Sequence, residues 1–214
     1  MTRSREVESL PDPGLFHPDP NANLLPYDGV VNYFGRVLVP SEAKCYFAAL
    51  LAGIPWKHDE TVIYGRRVVM AREVAWYADG DYPYTYSGST KEALPWNGEL
   101  RELKALVEKF SGATYNSCLA NLYHHGDEGM GWHSDDERSL RPERPIASLS
   151  LGVARKFSFR HKRTQETVSL LLEDGSLLVM KGATQLHWRH ALPKSKKVTE
   201  PRINLTFRTM MVPG

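Results

Sequence analysis

The chain has 214 residues, of which 27 are Lys or Arg and 25 are Asp or Glu, so its formal net charge is only +2. That length suits one domain with an extension and a sizeable core, and the near balance of charge excludes a uniformly polycationic binder. Cys45 and Cys118 stand in no metal or redox spacing, no apolar run approaches a membrane span, and the first residues lack a signal-peptide core; the expectation is a soluble, monomeric protein of a reducing compartment, the cytoplasm or, in a eukaryote, the nucleus, without a membrane partner.

Residues 1–28 are rich in Pro, Asp and Asn and read as an extended N-terminal arm; residues 29–214 read as one domain. Ser41 is placed to cap a helix over 42–52, whose Ala43, Tyr46, Phe47, Leu50 and Leu51 fall on one side before Gly53 and Pro55. The segment Thr61-Val62-Ile63-Tyr64-Gly65-Arg66-Arg67 reads as a hairpin with Tyr64 at its tip. Tyr82, Tyr84 and Tyr86 share a side if their segment is extended, which suits either base stacking or core packing. Asn97 opens a second helix, 98–110, carrying Leu100, Leu103, Leu106, Val107 and Phe110 and ending at Ser111-Gly112. From about 115 the pattern becomes short strands: 116–124, 145–152, 155–161, 167–173, 176–180, 184–190 and 202–211. Two helices ahead of many strands predict an α+β, mostly β fold: a jelly-roll double sheet over 115–211 with helical backing.

The chemistry concentrates in Gly-Met-Gly-Trp-His-Ser-Asp-Asp-Glu. If 133–135 is extended, His133 and Asp135 share a face and Ser134 points away, so one short segment offers two metal ligands. A third has to come from another strand, and His190 is the candidate later in the chain. Two imidazoles and one carboxylate cap one face of an octahedral ion and leave the other open, which suits non-haem Fe(II). In the tail from Pro201 to Met211, Arg202, Asn204, Thr206 and Arg208 alternate with Ile203, Leu205 and Phe207, as on a strand lining a hydrophilic pocket. Guanidinium forks there match the carboxylates of a diacid, so the set reads as an Fe(II)- and 2-oxoglutarate-dependent oxygenase.

Competing readings remain. A His-x-Asp triplet is common by chance; His187 competes with His190 and otherwise reads as a hydrogen-bonding core residue, while His124 and His125 read as loop histidines. The Pro-Cys-x-x-Cys spacing of zinc deaminases and the His-Glu-x-x-His helix of zinc proteases are both missing. An iron hydroxylase of a protein or small molecule, and a metal-binding jelly roll without catalysis, stay open as alternatives.

At Asn121-Leu122-Tyr123, Trp132 to Glu137, Pro145 to Ser148, Phe157 to Lys162, His187 to Pro193 and Pro201 to Arg208, the chain resembles the AlkB family of nucleic-acid oxidative demethylases. The resemblance runs from about residue 60 to the C-terminus and is nearest the branch that repairs methylated DNA. It implies a nucleotide-recognition lid over about 55–95, iron on His133, Asp135 and His190, and 2-oxoglutarate on Asn121, Tyr123, Arg202, Asn204 and Arg208. Arg202 would pair with the distal carboxylate, and Arg208 would lie near the carboxylate beside the metal. The implied reaction couples O2-dependent decarboxylation of 2-oxoglutarate to succinate with hydroxylation of an N-methyl group, which then leaves as formaldehyde. Implied substrates are 1-methyladenine and 3-methylcytosine in single- or double-stranded DNA, with RNA a further candidate partner.

The resemblance also assigns substrate contacts. Tyr84 and Tyr86 match the family's Tyr-Thr-aromatic-Ser-Gly stretch at the base pocket, Glu137 matches a base-contacting carboxylate, and Tyr64 falls where duplex-acting members insert a side chain. Arg160 and Lys162 belong to a basic run, 155–163, whose Phe157 and Phe159 suit burial while its cations suit phosphates. Trp132 and Trp188 read as structural.

Overall fold

The computed structural model describes residues 18–211, apart from 64, 65, 81–83, 87, 88, 138 and 142; for 61–63, 66–67, 84–86 and 89–91 it gives backbone alone. In chain order the elements are β1 (Val30–Arg36), α1 (Pro40–Gly53), β2 (Lys57–Ile63), β3 (Arg66–Ala78), β4 (Tyr84–Tyr86), β5 (Ser89–Lys91), α2 (Gly98–Ser111), β6 (Ser117–Tyr123) and β7 (Met130–His133). There follow β8 (Ile146–Gly152), β9 (Arg155–His161), β10 (Thr167–Leu172), β11 (Ser176–Lys181), α3 (Thr184–His187), β12 (Trp188–Leu192) and β13 (Arg202–Arg208).

The strands form a seven-stranded sheet, β1-β11-β8-β13-β6-β3-β2, and a four-stranded sheet, β10-β9-β12-β7, with β4 and β5 paired alone. Period-two alternation explains how the large sheet serves two layers. Ile203, Leu205 and Phe207 of β13 point to one side, where they pack with Leu50 of α1 and Leu100, Leu103 and Val107 of α2. On its other side Leu178, Met180 and Ile146 meet Phe159, Leu172 and Trp188 of the small sheet. This is the expected jelly-roll double sheet backed by helices, and the polar face of β13 is turned toward the space between the sheets.

Local chemistry sets the helix ends. Asn97 caps α2 as expected, its side chain accepting from Leu100 N at 2.8 Å, and Gly112 closes the helix at φ +67°. For α1 the expectation of a Ser41 cap is corrected: the cap is Val39, because Pro40, with its fixed φ and no N–H, takes the first helical position and Glu42 accepts from Val39 N.

Two further expectations change. Residues 184–190 are not one strand: Thr184 Oγ1 donates back to Lys181 O at 2.6 Å, folding 184–187 into a helical turn before β12 begins at Trp188. His187 is accordingly half-buried at the end of α3 and not a core residue. The last part of the N-terminal arm folds onto the sheet: Leu25 is buried and Asn23 accepts from Val31 N at 2.8 Å. Pairing of Ile63 with Arg66 makes β2 and β3 a hairpin whose tip, including Tyr64, lies outside the described residues.

Candidate active site

β7 and β12 are antiparallel neighbours, and their register sets His133 directly opposite His190. β7 ends at His133; Asp135 lies just beyond it, its backbone N–H donating to Gln185 Oε1 at 2.9 Å while Ser134 Oγ donates to Trp188 O. Those two bonds turn Asp135 inward and Ser134 outward, the separation that alternation predicted. The metal-facing donor atoms of His133, Asp135 and His190 converge, with His133 Nε2 3.7 Å and His190 Nε2 3.8 Å from Asp135 Oδ1.

Protonation suits a metal. The His133 Nδ1 lies 2.8 Å from Gly131 O, so Nδ1–H donates there and the Nε2 lone pair faces the cluster. Burial, reinforced by His133, pushes the His190 imidazole down to about 3, which keeps it neutral. Burial alone would raise the Asp135 carboxyl, but Arg208, His190 and His133 outweigh it and hold it below its ordinary range. Two imidazole nitrogens and a carboxylate anion fit a hard-to-borderline divalent ion such as Fe(II).

Behind this cluster the floor is built from registered rows. Arg202 pairs with Tyr123 of β6 and Gly152 of β8; Asn204 pairs with Asn121 and Ser150; Thr206 pairs with Leu119 and Ser148. Asn204 donates to Ser148 Oγ at 2.7 Å and accepts from Thr206, so its amide is fixed. The Arg202 guanidinium is buried, donates to Ser150 Oγ at 3.0 Å and lies 5.7 Å from the Tyr123 ring centre. Its Nε has no hydrogen-bond partner. Burial, with Arg155 nearby, lowers its pKa to about 10, still charged at neutral pH. An incompletely satisfied buried guanidinium costs roughly 1–3 kcal/mol, a deficit that an incoming carboxylate removes. The residues lining the cavity therefore fit a diacid reaching from the His-Asp-His cluster toward Arg202.

Other site residues are placed as follows. Arg208 donates to Asp135 Oδ2 at 2.7 Å and stands 3.7 Å from Glu137 Oε1, so Glu137 lies at the metal cluster's edge. Arg160 stacks over Trp132 at 4.2 Å, and Lys162 donates to Gln185 O at 2.9 Å. The backbones of Tyr84 and Tyr86 lie on β4, alternate positions on one face of the strand; their side chains are outside the description.

Some residues escaped sequence reasoning. Asp59 and Arg72 form a buried ion pair across β2 and β3 that lines the cavity. Arg155 is buried with its Nη2 donating to Glu128 O and Pro193 O, at 2.8 and 3.0 Å, and so ties the turn before β7 to the end of β12. Gly126 lies in that turn, where a Cβ would fall 1.9 Å from Ser195 O. Ser148 and Ser150 were legible in principle, since Ile-Ala-Ser-Leu-Ser-Leu puts both on one face.

Comparison with known proteins agrees with this geometry. The family model for the 2OG-Fe(II) oxygenase superfamily matches residues 30–208. The human alpha-ketoglutarate-dependent dioxygenase alkB homolog 3 is 42% identical over 79% of the chain, and the mouse DNA oxidative demethylase ALKBH2 is 41% identical over 78% of the chain and 70% of its own length. The chain belongs to the AlkB family. It spans 62% of the length of the human alkB homolog 3. The solved structure of OsALKBH1 shares the fold of this AlkB-family chain, with a TM-score of 0.58 over 86% of this chain and 99% of that one, at 16% identity.

Proposed function

We propose that this AlkB-family chain is an Fe(II)- and 2-oxoglutarate-dependent dioxygenase that removes methyl groups from 1-methyladenine and 3-methylcytosine in DNA, with RNA a second substrate. The observation that carries the reading is one cavity holding both a His133–Asp135–His190 cluster and, across it, the buried Arg202 with an unpartnered Nε. A diacid co-substrate explains both halves; metal storage explains only the first. The relatives' names, an alpha-ketoglutarate-dependent dioxygenase and a DNA oxidative demethylase, support the same reading.

In this reading His133 Nε2, Asp135 Oδ1 and His190 Nε2 hold iron. When bound, iron with 2-oxoglutarate and O2 supplies the oxidant for a C–H bond of the N-methyl group. The chain's own residues do the positioning. Arg202 and Tyr123 receive the distal carboxylate, Asn121 and Asn204 line the middle of the co-substrate, and Arg208 stands by the end nearest iron. The Arg208 bond to Asp135 holds that carboxylate from behind. On the substrate side Glu137 accepts from the exocyclic amino group of the base, Tyr84 and Tyr86 flank the base, and Arg160 offers its cation to the phosphate backbone. Lys162, already held by Gln185 O and 3.9 Å from Asp136, contributes mainly to the local positive field. Tyr64 enters the stack when the substrate is duplex.

The test is release of formaldehyde, with Fe(II) and 2-oxoglutarate present, from methylated single- and double-stranded DNA and RNA oligonucleotides. Formaldehyde from 1-methyladenine or 3-methylcytosine strands supports the reading. Consumption of 2-oxoglutarate with no formaldehyde from any nucleic acid, but with a hydroxylated protein or small molecule, would replace it with the hydroxylase alternative.

A further inference from the structure

A second group of two imidazoles and one carboxylate lies outside the proposed active site. Asp28, His161 and His187 come from three places, the segment before β1, the end of β9 and the end of α3, and their donor atoms lie within 4.8 Å of one another. They share no residue with the His133–Asp135–His190 cluster. His161 is 1% exposed, and its Nε2 has no hydrogen-bond partner although Asp28 Oδ2 stands 3.3 Å away. Two ligands on one tetrahedral zinc ion, with bonds of about 2.0–2.1 Å, are separated by roughly 3.3–3.4 Å. The Asp28 to His161 spacing thus already matches one edge of a zinc coordination shell, and the His187 donor atom lies within 4.8 Å of both.

We propose that Asp28, His161 and His187 form a second divalent-metal site, taking zinc or a similar borderline ion, that fastens the N-terminal segment to the foot of strand β12.

The surroundings support a ligand role for His161. To present the Nε2 lone pair, the ring must carry its proton on Nδ1, and Thr164 Oγ1 stands 3.0 Å from that atom. Thr164 Oγ1 is in turn 2.8 Å from Tyr27 Oη, which donates to Glu166 Oε2 at 2.7 Å. With metal bound, a chain from His161 Nδ1–H through Thr164 Oγ1 and Tyr27 to the Glu166 carboxylate would orient the imidazole, whereas in the metal-free chain Nδ1 accepts from Thr164 N–H. Thr164 N–H, 3.1 Å from the same Nδ1, competes for it as an acceptor. Loading metal costs that bond, so the second site binds more weakly than the first.

The position gives the site a structural purpose. Tyr27 packs edge-on against His161 with ring centres 5.1 Å apart, and Trp188 Nε1 donates to Tyr27 O at 3.0 Å. A metal at Asp28 would lock this clasp, whose Trp188 lies two residues ahead of His190. Two His and one Asp, with the fourth position left to water, suit zinc, cobalt or nickel better than calcium or magnesium.

Equilibrium dialysis of the full, untagged, metal-stripped chain against Zn(II), with zinc per chain read by mass spectrometry, tests the proposal. The wild type should take up two equivalents in two steps. Asp28→Asn should weaken the second step tenfold or more while leaving the first unchanged. Asn is the safe replacement, because Asp28 sits at φ +51°, a conformation Asn tolerates, and is partly exposed. Asp135→Ala should lose the first step and keep the second, and zinc should raise the melting temperature of Asp135→Ala more than that of an Asp28→Asn, Asp135→Ala double variant. A single equivalent in the wild type, or an unchanged second step in Asp28→Asn, overturns the site.

Discussion

Arg208 donates through Nη2 to Asp135 Oδ2 at 2.7 Å, leaving Oδ1 to face His133 and His190. One cation on β13 therefore decides which carboxylate oxygen faces the two imidazoles. Arg208→Ala removes that clamp and leaves Asp135 to rotate in a buried site. Metal affinity should drop about 10–100-fold, the usual cost of losing an orienting partner of a ligand. A Mn(II) titration of wild type and variant measures it, and equal affinities would show that Arg208 does not set the ligand geometry.

Arg202 acts at the other end of the cavity. Arg202→Ala should weaken 2-oxoglutarate binding by about 1.5–3 kcal/mol, the range for hydrogen bonds to charged groups, and turnover should partly return at high co-substrate. Anaerobic titration with Mn(II) in place of iron reads the affinity directly. An unchanged dissociation constant would remove Arg202 from the co-substrate site.

The contrast between β13 and the 184–190 segment shows what the sequence could reveal. Arg202, Asn204, Thr206 and Arg208 were legible because a strand's period of two carries over into which face lines the cavity. His133 and Asp135 were legible for the same reason, although β7 stops at His133 and hydrogen bonds from the Asp135 N–H and Ser134 Oγ maintain the alternation. The 184–187 turn was hidden, since a threonine hydroxyl folding back on Lys181 leaves no periodic trace. Asp59 with Arg72 was hidden because the register of the β2–β3 hairpin shifts between His58 and Glu60. The carbonyl cradle around Arg155 was hidden more deeply, since such long-range contacts depend on which distant segments become neighbours, and spacing within one segment carries no record of that.

His190 makes the metal-free protein sensitive to acid. Its folded pKa is about 3 against an ordinary 6.5, because of burial and the adjacent His133. Between those values the unfolded chain binds a proton that the folded chain refuses, so stability is intact above pH 6.5 and falls as pH drops toward about 3. Asp135, held below its ordinary 3.8 despite burial by Arg208, His190 and His133, adds its own loss only below that value. Melting curves of metal-free wild type and His190→Gln in this range should show the steeper decline in the wild type. Parallel declines would mean that His190 is not held neutral by the fold.

Tyr64 provides a test of strand preference. Extruding a base costs a few kcal/mol, least where the base is damaged or already unpaired, so a wedge helps on duplex. Tyr64→Ala should lose activity selectively on a duplex 3-methylcytosine substrate and keep it on the single strand. Equal losses on the two substrates would assign Tyr64 a packing role.

The most direct test of the account measures succinate and formaldehyde together on a 3-methylcytosine oligonucleotide, for wild type and His190→Ala, with circular dichroism confirming that the variant is folded. The account predicts equimolar succinate and formaldehyde with restored cytosine in the wild type, and neither product from His190→Ala. Succinate without base restoration in the wild type, or undiminished formaldehyde from folded His190→Ala, would contradict it.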